Sequence, residues 1–137
     1  MGQGGYLSIY NTTPHEWRRT FQFAYQMNSW EFPTTIAPYT SVNIYIEFDE
    51  GLFTHTGDDK GEVNYELVGC PAGQAQFQLI ARLRDLNANF IEFPARLAPD
   101  TDVPVGGKLN IGWRDNGVAV FILAGQHGNL HVLKNAA

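Results

Sequence analysis

Apolar and polar residues alternate with a period of two through most of the chain, and this pattern constrains the fold more than any other feature. The clearest case is the stretch 41–48, where Val42, Ile44, Ile46 and Phe48 alternate with Ser41, Asn43, Tyr45 and Glu47. Helical periodicity is almost absent. Each alternating row predicts a strand with one buried face and one face in water, as antiparallel sheets require.

Further rows of the same kind are separated by segments rich in Gly, Pro, Asn and Asp. Their predicted inward sides are Leu7 and Ile9; Trp17, Arg19, Phe21, Phe23 and Tyr25; Val63, Tyr65 and Leu67; and Phe77, Leu79, Ala81 and Leu83. Eight or nine strands without a convincing helix predict an all-β fold, a single antiparallel β-sandwich over residues 1–137, with a closed β-barrel as the alternative. A chain of 137 residues is long enough to bury a real core without disulfides.

The aromatic stretch T-F-Q-F-A-Y-Q-M-N-S-W-E-F-P, residues 20–33, combines two patterns. Phe21, Phe23 and Tyr25 continue the alternation of a strand, which predicts that they belong to the core. Trp30 and Phe32 lie beyond that strand, next to Pro33. They either close the end of the sandwich or stand at its rim.

The net charge of −5 and the absence of a basic run longer than Arg18-Arg19 exclude nucleic-acid binding. Weak attraction to anionic lipid is disfavoured for the same reason. The single Cys70 has no CxxC partner, so neither a zinc site nor thiol redox chemistry is predicted. With no standard signal peptide and no apolar stretch of membrane-spanning length, the predicted location is the cytoplasm, or the outside by a non-standard route.

Sequence motifs give no sign of catalysis, since nucleophile elbow, phosphate loop and dinucleotide fingerprint are all missing. We therefore expect a protein that is not an enzyme and has no cofactor. The pair His127 and His131 lacks the adjacent Glu of zinc proteases, and no metal site is predicted.

An acidic stretch, residues 47–62, matches no EF-hand spacing. Its carboxylates could accept hydrogen bonds from sugar hydroxyls. Glu47 and Asp49 could instead form the paired acids of a glycan hydrolase. The third alternative is a solvated loop that keeps the chain soluble.

Aromatic residues outside the predicted core rows are the strongest candidates for binding, because exposed aromatic patches usually mark interaction sites. They fall at predicted strand ends, turns and wet faces: Trp17, Trp30, Tyr39, Tyr45 and Phe53. Such rings can stack on sugars or enter a membrane interface. The many Asn and Gln residues on the wet faces favour sugars.

The predicted ligand-binding set has two parts. Stacking or head-group contacts are assigned to Trp17, Arg18, Trp30, Tyr39 and Tyr45, and hydroxyl-accepting roles to Asp58 and Asp59. For Trp17 and Tyr39, the alternative is that they only cap the core. A shallow glycan site would gain from avidity, so a homo-oligomer is expected.

Four segments carry a family resemblance: Y-L-S-I-Y-N at 6–11, N-S-W-E-F-P at 28–33, I-A-P-Y-T-S-V-N-I-Y-I-E-F at 36–48, and G-D-D-K-G-E-V-N-Y-E-L at 57–67. In their arrangement, the first half of the chain resembles the aegerolysins and the actinoporin-like fruit-body lectins of fungi. The resemblance implies a small β-sandwich that binds a glycan or a membrane lipid.

These observations predict a non-enzymatic module that recognises a glycan or a lipid head group through aromatics at its loop ends. A structural or protein-interaction sandwich that assembles through edge strands or an apolar face is the second hypothesis. A glycan hydrolase that uses paired carboxylates is the third.

Overall fold

The structure is a computed structural model, and it describes residues 3–49, 59–69, 76–83, 89–92, 108–110, 119–125 and 130–134. Within these ranges the chain forms strands and no helix. The strands are β1 (Gln3–Asn11), β2 (Trp17–Tyr25), β3 (Met27–Trp30), β4 (Thr35–Ile36), β5 (Ser41–Phe48), β6 (Lys60–Leu67), β7 (Gln76–Leu83), β8 (Asn89–Glu92), β9 (Lys108–Asn110), β10 (Ala119–Ala124) and β11 (Leu130–Lys134).

The strands form two sheets. The first has the order β11-β10-β1-β5-β3 and the second the order β4-β2-β6-β7-β8-β9. Neighbouring strands are antiparallel except β1 and β10, which are parallel. The predicted all-β sandwich is confirmed. The described residues form eleven strands rather than eight or nine, because pieces as short as β4 and β9 are too brief to show alternation.

One hydrophobic core lies between the two sheets and takes residues from both. The inward rows predicted on β1, β5 and β6 are confirmed, since Leu7, Ile46 and Val63 are fully buried. At the centre, the ring of Phe77 meets Trp17 edge-on at 4.9 Å and stacks on Tyr65 at 5.1 Å. Burial of each such side chain contributes about 1.5–3 kcal/mol to folding.

The second strand contains a β-bulge that reverses its faces. Arg19 pairs with Tyr65, but the next residue of β6, Asn64, pairs with Phe21, so Thr20 is an extra residue. Beyond the bulge, the aromatics of β2 point to solvent: Phe21, Phe23 and Tyr25 are 46%, 43% and 49% exposed. The prediction that they form an inward row is wrong, because a one-residue insertion inverts a period-two pattern without disturbing its appearance in the sequence.

Trp30 occupies the part of the core next to this half of β2, where the three aromatics beyond the bulge were expected. This residue ends β3 in the first sheet and reaches across to β6, where its indole lies on Gly61. A Cβ atom at position 61 would stand 2.4 Å from Trp30 Cδ2, so only glycine leaves room for the ring. The indole Nε1 donates a hydrogen bond to Glu62 O at 3.1 Å. Trp30 therefore closes the sandwich from inside.

Residues 31–34 cross from the first sheet to the second and lie beside Arg19 and Gln22 of β2, where Gln22 Oε1 accepts from the backbone nitrogen of Phe32 at 2.8 Å. Phe32 is buried, and its ring lies 4.6 Å from that of Trp30. The Arg19 guanidinium donates to Phe32 O, and the Tyr65 hydroxyl donates to Pro33 O at 2.6 Å. Of the two alternatives for Trp30 and Phe32, the structure shows closure of the sandwich.

The turn from β1 to β2 is organised by a buried asparagine. Asn11 Nδ2 lies within hydrogen-bond distance of the carbonyls of His15, Ile36 and Ala37, at 2.6, 3.2 and 3.1 Å. Its Oδ1 accepts from the backbone nitrogen of Thr13 at 2.9 Å and from the Thr13 hydroxyl at 2.7 Å. One side chain thus holds the chain where it passes from the first sheet to the second.

Candidate ligand-binding surfaces

Both predicted stacking indoles lie inside the protein. Trp17 is fully buried and Trp30 is 6% exposed. Trp17 precedes the bulge and so faces the core against Phe77, whereas Trp30 is held over Gly61. The expectation that these rings stand at an exposed rim is wrong, and neither is available for stacking on a ligand. For Trp17, the core-capping alternative describes its position.

Arg18, Tyr39 and Tyr45 do not share one surface. Arg18 lies on the outer face of the second sheet, where its guanidinium contacts Glu66 at 3.3 Å. Tyr45 lies on the opposite side of the molecule, on the outer face of the first sheet. Tyr39 is 59% exposed in the turn before β5, with a φ of +53°. A single loop-end site built from these three residues is therefore excluded by geometry.

The acidic residues are also placed differently from the prediction. Asp59 is only 3% exposed, directly before β6, so it is not on the surface as a hydroxyl acceptor. Asp58 and Phe53 lie outside the described residues. Among the residues that the structure describes, no group of three or more His, Cys, Asp or Glu side chains could hold a metal ion.

A cluster of tyrosines covers the outer face of the first sheet. Tyr6 on β1 pairs with Tyr45 on β5, and their ring centroids are 5.1 Å apart with an interplanar angle of 56°. Tyr6 and Tyr10 are 45% and 40% exposed. They stand on this face because Leu7 and Ile9 take the inward positions of β1. We call this surface the tyrosine face, consisting of Tyr6, Tyr10 and Tyr45 with Ser8, Asn28, Asn43 and Glu47.

Polar groups between the tyrosines are held in place by hydrogen bonds. The Glu47 carboxylate accepts from the Tyr45 hydroxyl at 2.7 Å and from Asn28 Nδ2 at 2.9 Å. Asn43 Oδ1 accepts from the Ser8 hydroxyl. Asn43 is exposed, and its Nδ2 donates no hydrogen bond within the described part of the chain. The face thus offers oriented acceptors and an amide donor beside aromatic rings.

An open groove of about 490 Å³ adjoins the tyrosine face at Asn43. Its walls are formed by the crossing segment 31–34 and by β5, through Glu31, Phe32, Pro33, Thr34, Val42, Asn43 and Ile44. The groove exists because β3 pairs only with the far end of β5, at residues 46–48. A ligand on the tyrosine face could therefore extend into a concave site.

A second exposed aromatic surface lies on the outer face of the second sheet. Phe21, Phe23 and Tyr25, which we call the aromatic stripe, stand next to Asn64, Glu62 and Lys60 of β6. The Lys60 ammonium is 6.0 Å from the ring centroid of Phe23 and 3.4 Å from Glu62 Oε1. The aromatic stripe runs along an edge strand, because β4 pairs with β2 only at Trp17 and Arg18.

Sequence reasoning selected Tyr45 but missed Tyr6 and Tyr10. The signal was present, since both lie opposite Leu7 and Ile9 in the alternating row of β1. No sequence signal indicated that the aromatic stripe is exposed, because the bulge at Thr20 leaves the alternating residue pattern unchanged.

Comparison with known proteins adds no relative. A scan against protein-family models finds no matching family, and a search of curated proteins finds no match. The resemblance to aegerolysins and fungal fruit-body lectins therefore stays a prediction. The described part of the chain has no helix that is long and apolar enough to cross a membrane.

Proposed function

We propose that this chain is a non-enzymatic binding module that recognises a glycan through its tyrosine face. The observation that carries the proposal is the combination of exposed tyrosine rings with hydrogen-bonded polar groups on the outer face of one sheet. Exposed aromatic clusters of this kind usually mark interaction sites.

The chemistry of the tyrosine face matches that of a sugar. Aromatic rings such as Tyr6 and Tyr10 can cover the apolar faces of sugar rings, while their hydroxyls stay hydrated. Among the described residues, Glu47 receives two donors, one on each oxygen, so a carboxylate with about four lone-pair sites keeps capacity for ligand hydroxyls. The Asn43 amide supplies a donor at the mouth of the groove.

A glycan suits this surface better than a lipid head group. The polar members of the tyrosine face are Ser8, Asn28, Asn43 and Glu47, which are neutral or acidic. Such groups bind hydroxyls, whereas a phosphate would be repelled by Glu47 and would need Arg or Lys donors. Binding to a lipid surface is therefore the alternative outcome of the test.

The test is a glycan array, together with co-sedimentation on neutral and anionic lipid vesicles, for the wild-type chain and Tyr6→Ala. Removal of the ring should weaken glycan binding about tenfold or more, because a central stacking aromatic contributes on the order of 1–3 kcal/mol. Tyr39→Ala is the matched control, since it removes the most exposed tyrosine from outside the face and should leave affinity unchanged.

Three results would contradict the proposal: no glycan bound at any density, a folded Tyr6→Ala variant with full affinity, or binding to vesicles alone. The hydrolase hypothesis is tested alongside. If glycans were cleaved and Glu47→Gln abolished the cleavage, the site would be catalytic.

A further inference from the structure

Within the described residues, the outer edge of β2 is open along the aromatic stripe. On that side, β4 covers Trp17 and Arg18, and Thr34 O accepts from the Arg19 backbone nitrogen at 2.8 Å. No described strand pairs with this side of residues 20–25. Such an edge presents unpaired backbone groups to solvent, which is a template for pairing with another strand.

The segment 20–25 itself lacks the residues that normally prevent such pairing, and a charged residue beside it on this side is Glu31, which accepts from Gln22 Nε2 at 3.3 Å. Natural edge strands carry charges, particularly Lys, or Pro. Residues 20–25 read T-F-Q-F-A-Y and contain no charge and no Pro. The contrast with the covered part of the strand is sharp, because Arg18 and Arg19 stand where the edge is already occupied.

The aromatic stripe gives the same edge an apolar surface. Its three rings are 43–49% exposed, which leaves roughly 200–350 Å² of aromatic surface in water per copy. The largest apolar patch on a typical monomer covers about 300–600 Å² and is often functional, so the aromatic stripe reaches the lower end of that range. Backbone pairing and apolar burial are therefore available along one six-residue segment.

We propose that this edge pairs antiparallel with the same edge of a second copy, forming a twofold dimer. Directly opposite residues of antiparallel strands point to the same face. A register that matches all three outward rings places Phe23 opposite Phe23 of the second copy and Phe21 opposite the second copy's Tyr25. Three cross-strand aromatic pairs then form at the dimer axis.

A second copy fits this edge better than an unrelated partner, because the segment is self-complementary and uncharged. An isologous contact of this kind uses the same edge of both copies, so the assembly ends at a dimer. The aromatic stripes bury together roughly 400–700 Å², below the ~1,200 Å² of stable interfaces, so the dimer should be weak and reversible.

The proposed dimer would place its two tyrosine faces on one side. A twofold axis perpendicular to the joined sheets leaves the outer faces of the two first sheets on the same side of the dimer. The two tyrosine faces could then bind one glycan-bearing surface at the same time, which raises the avidity without any new contact. The dimer itself does not depend on glycan binding, and its test uses no glycan.

Sedimentation equilibrium over a range of protein concentrations is the first test. The wild-type chain should show a reversible monomer–dimer equilibrium, and Phe23→Lys should be monomeric because two lysines would meet at the axis. Tyr39→Lys is the matched control: it adds the same charge at an exposed aromatic away from the edge and should dimerise like wild type. An equimolar mixture of Phe23→Lys and Phe23→Glu should restore a dimer.

The register is tested by cysteine cross-linking in a Cys70→Ser background. Phe23→Cys should form a disulfide-linked dimer, because opposite Cβ atoms lie about 4.5–5.5 Å apart. Phe21→Cys should not, because its two copies would be about 13 Å apart along the strands.

The proposal is overturned by a wild-type chain that stays monomeric at all concentrations, by a Phe23→Lys variant that still dimerises, or by a Phe21→Cys variant that cross-links more readily than Phe23→Cys. A monomeric wild type whose Phe23→Lys variant lost glycan binding would assign the aromatic stripe to the ligand instead. If Phe23→Lys failed to fold, the cross-linking pair would decide the question alone.

Discussion

The two halves of β2 place aromatic residues on opposite faces of the second sheet. Before the bulge at Thr20, Trp17 is fully buried against Phe77. After it, Phe21 and Phe23 are 46% and 43% exposed. Large aromatic residues stand at odd-numbered positions in both halves, Trp17 in the first and Phe21, Phe23 and Tyr25 in the second. The difference teaches that one inserted residue, rather than hydrophobicity, decides which aromatics form the core and which remain available for contacts.

The two halves are also held by different contacts. The first half is anchored by Trp17 in the aromatic cluster and by Arg19 at the crossing segment. In the second half, Gln22 and Ala24 pair with Val63 and Gly61 of the neighbouring strand β6, and the indole of Trp30 lies on Gly61. Trp30 of β3, rather than an aromatic of β2, therefore packs on this part of the second sheet.

The largest effect is expected in the first half. Trp17→Ala should lower the free energy of unfolding by about 3–5 kcal/mol, because it leaves a large cavity beside Phe77. Chemical denaturation measures the loss. A loss below about 1 kcal/mol would mean that Trp17 is not a core residue.

A smaller loss is expected where Trp30 fills the second half. Gly61→Ala places a Cβ 2.4 Å from the indole, so the ring must move, at a cost of about 1–3 kcal/mol. Gly69→Ala is the control: its φ of +94° is strained for alanine, at about 1–2 kcal/mol, but no atom lies within 4 Å. Near-ultraviolet circular dichroism should change for Gly61→Ala and stay constant for Gly69→Ala. Equal spectra for both variants would contradict the packing of Trp30 on Gly61.

The hydrogen bond from the Tyr65 hydroxyl of β6 to Pro33 O gives a prediction about how stability depends on pH. Burial raises the pKa of Tyr65 well above its usual value, and the positive charge of Arg19 opposes this only in part. The folded state therefore keeps the proton while the unfolded chain ionises near pH 10, so the stabilisation is complete below about pH 10 and is lost as the pH rises further.

Tyr65→Phe should lower the free energy of unfolding by about 1 kcal/mol at pH 7, because Pro33 O loses its donor. The variant should also show a shallower fall in stability between pH 9 and 11 than wild type, as measured by urea denaturation across this range. Parallel pH profiles would show that Tyr65 is not the buried group responsible.

Much of the fold follows from local pattern alone. On β5 and β6, uninterrupted alternation places residues such as Ile46 and Val63 inside, because the period of the side chains equals the period of the pleat. The local pattern does not predict packing that depends on two residues far apart in the sequence. The fit of Trp30 onto Gly61 joins positions 31 residues apart. The Asn11 side chain depends in the same way on carbonyls from two separate segments, at His15 and at Ile36 and Ala37.

The candidate sites divide in the same way. Tyr6 and Tyr45 could be predicted on a wet face, since both strands alternate without interruption. Their pairing could not, because the register between β1 and β5 is a long-range property. Phe21, Phe23 and Tyr25 were predicted on the wrong face, since a bulge such as that at Thr20 needs no Gly or Pro to mark it.

The smallest predicted effect is also the most direct test that the bulge at Thr20 turns the aromatics of β2 toward solvent. Phe23→Ala, measured by chemical denaturation at a concentration where the chain is monomeric, should lower the free energy of unfolding by about 1 kcal/mol or less, as for a surface position. Phe77→Ala, the same substitution at a fully buried ring, should cost about 3–5 kcal/mol. A loss at Phe23 equal to that at Phe77 would place the aromatic stripe in the core and contradict the bulge at Thr20.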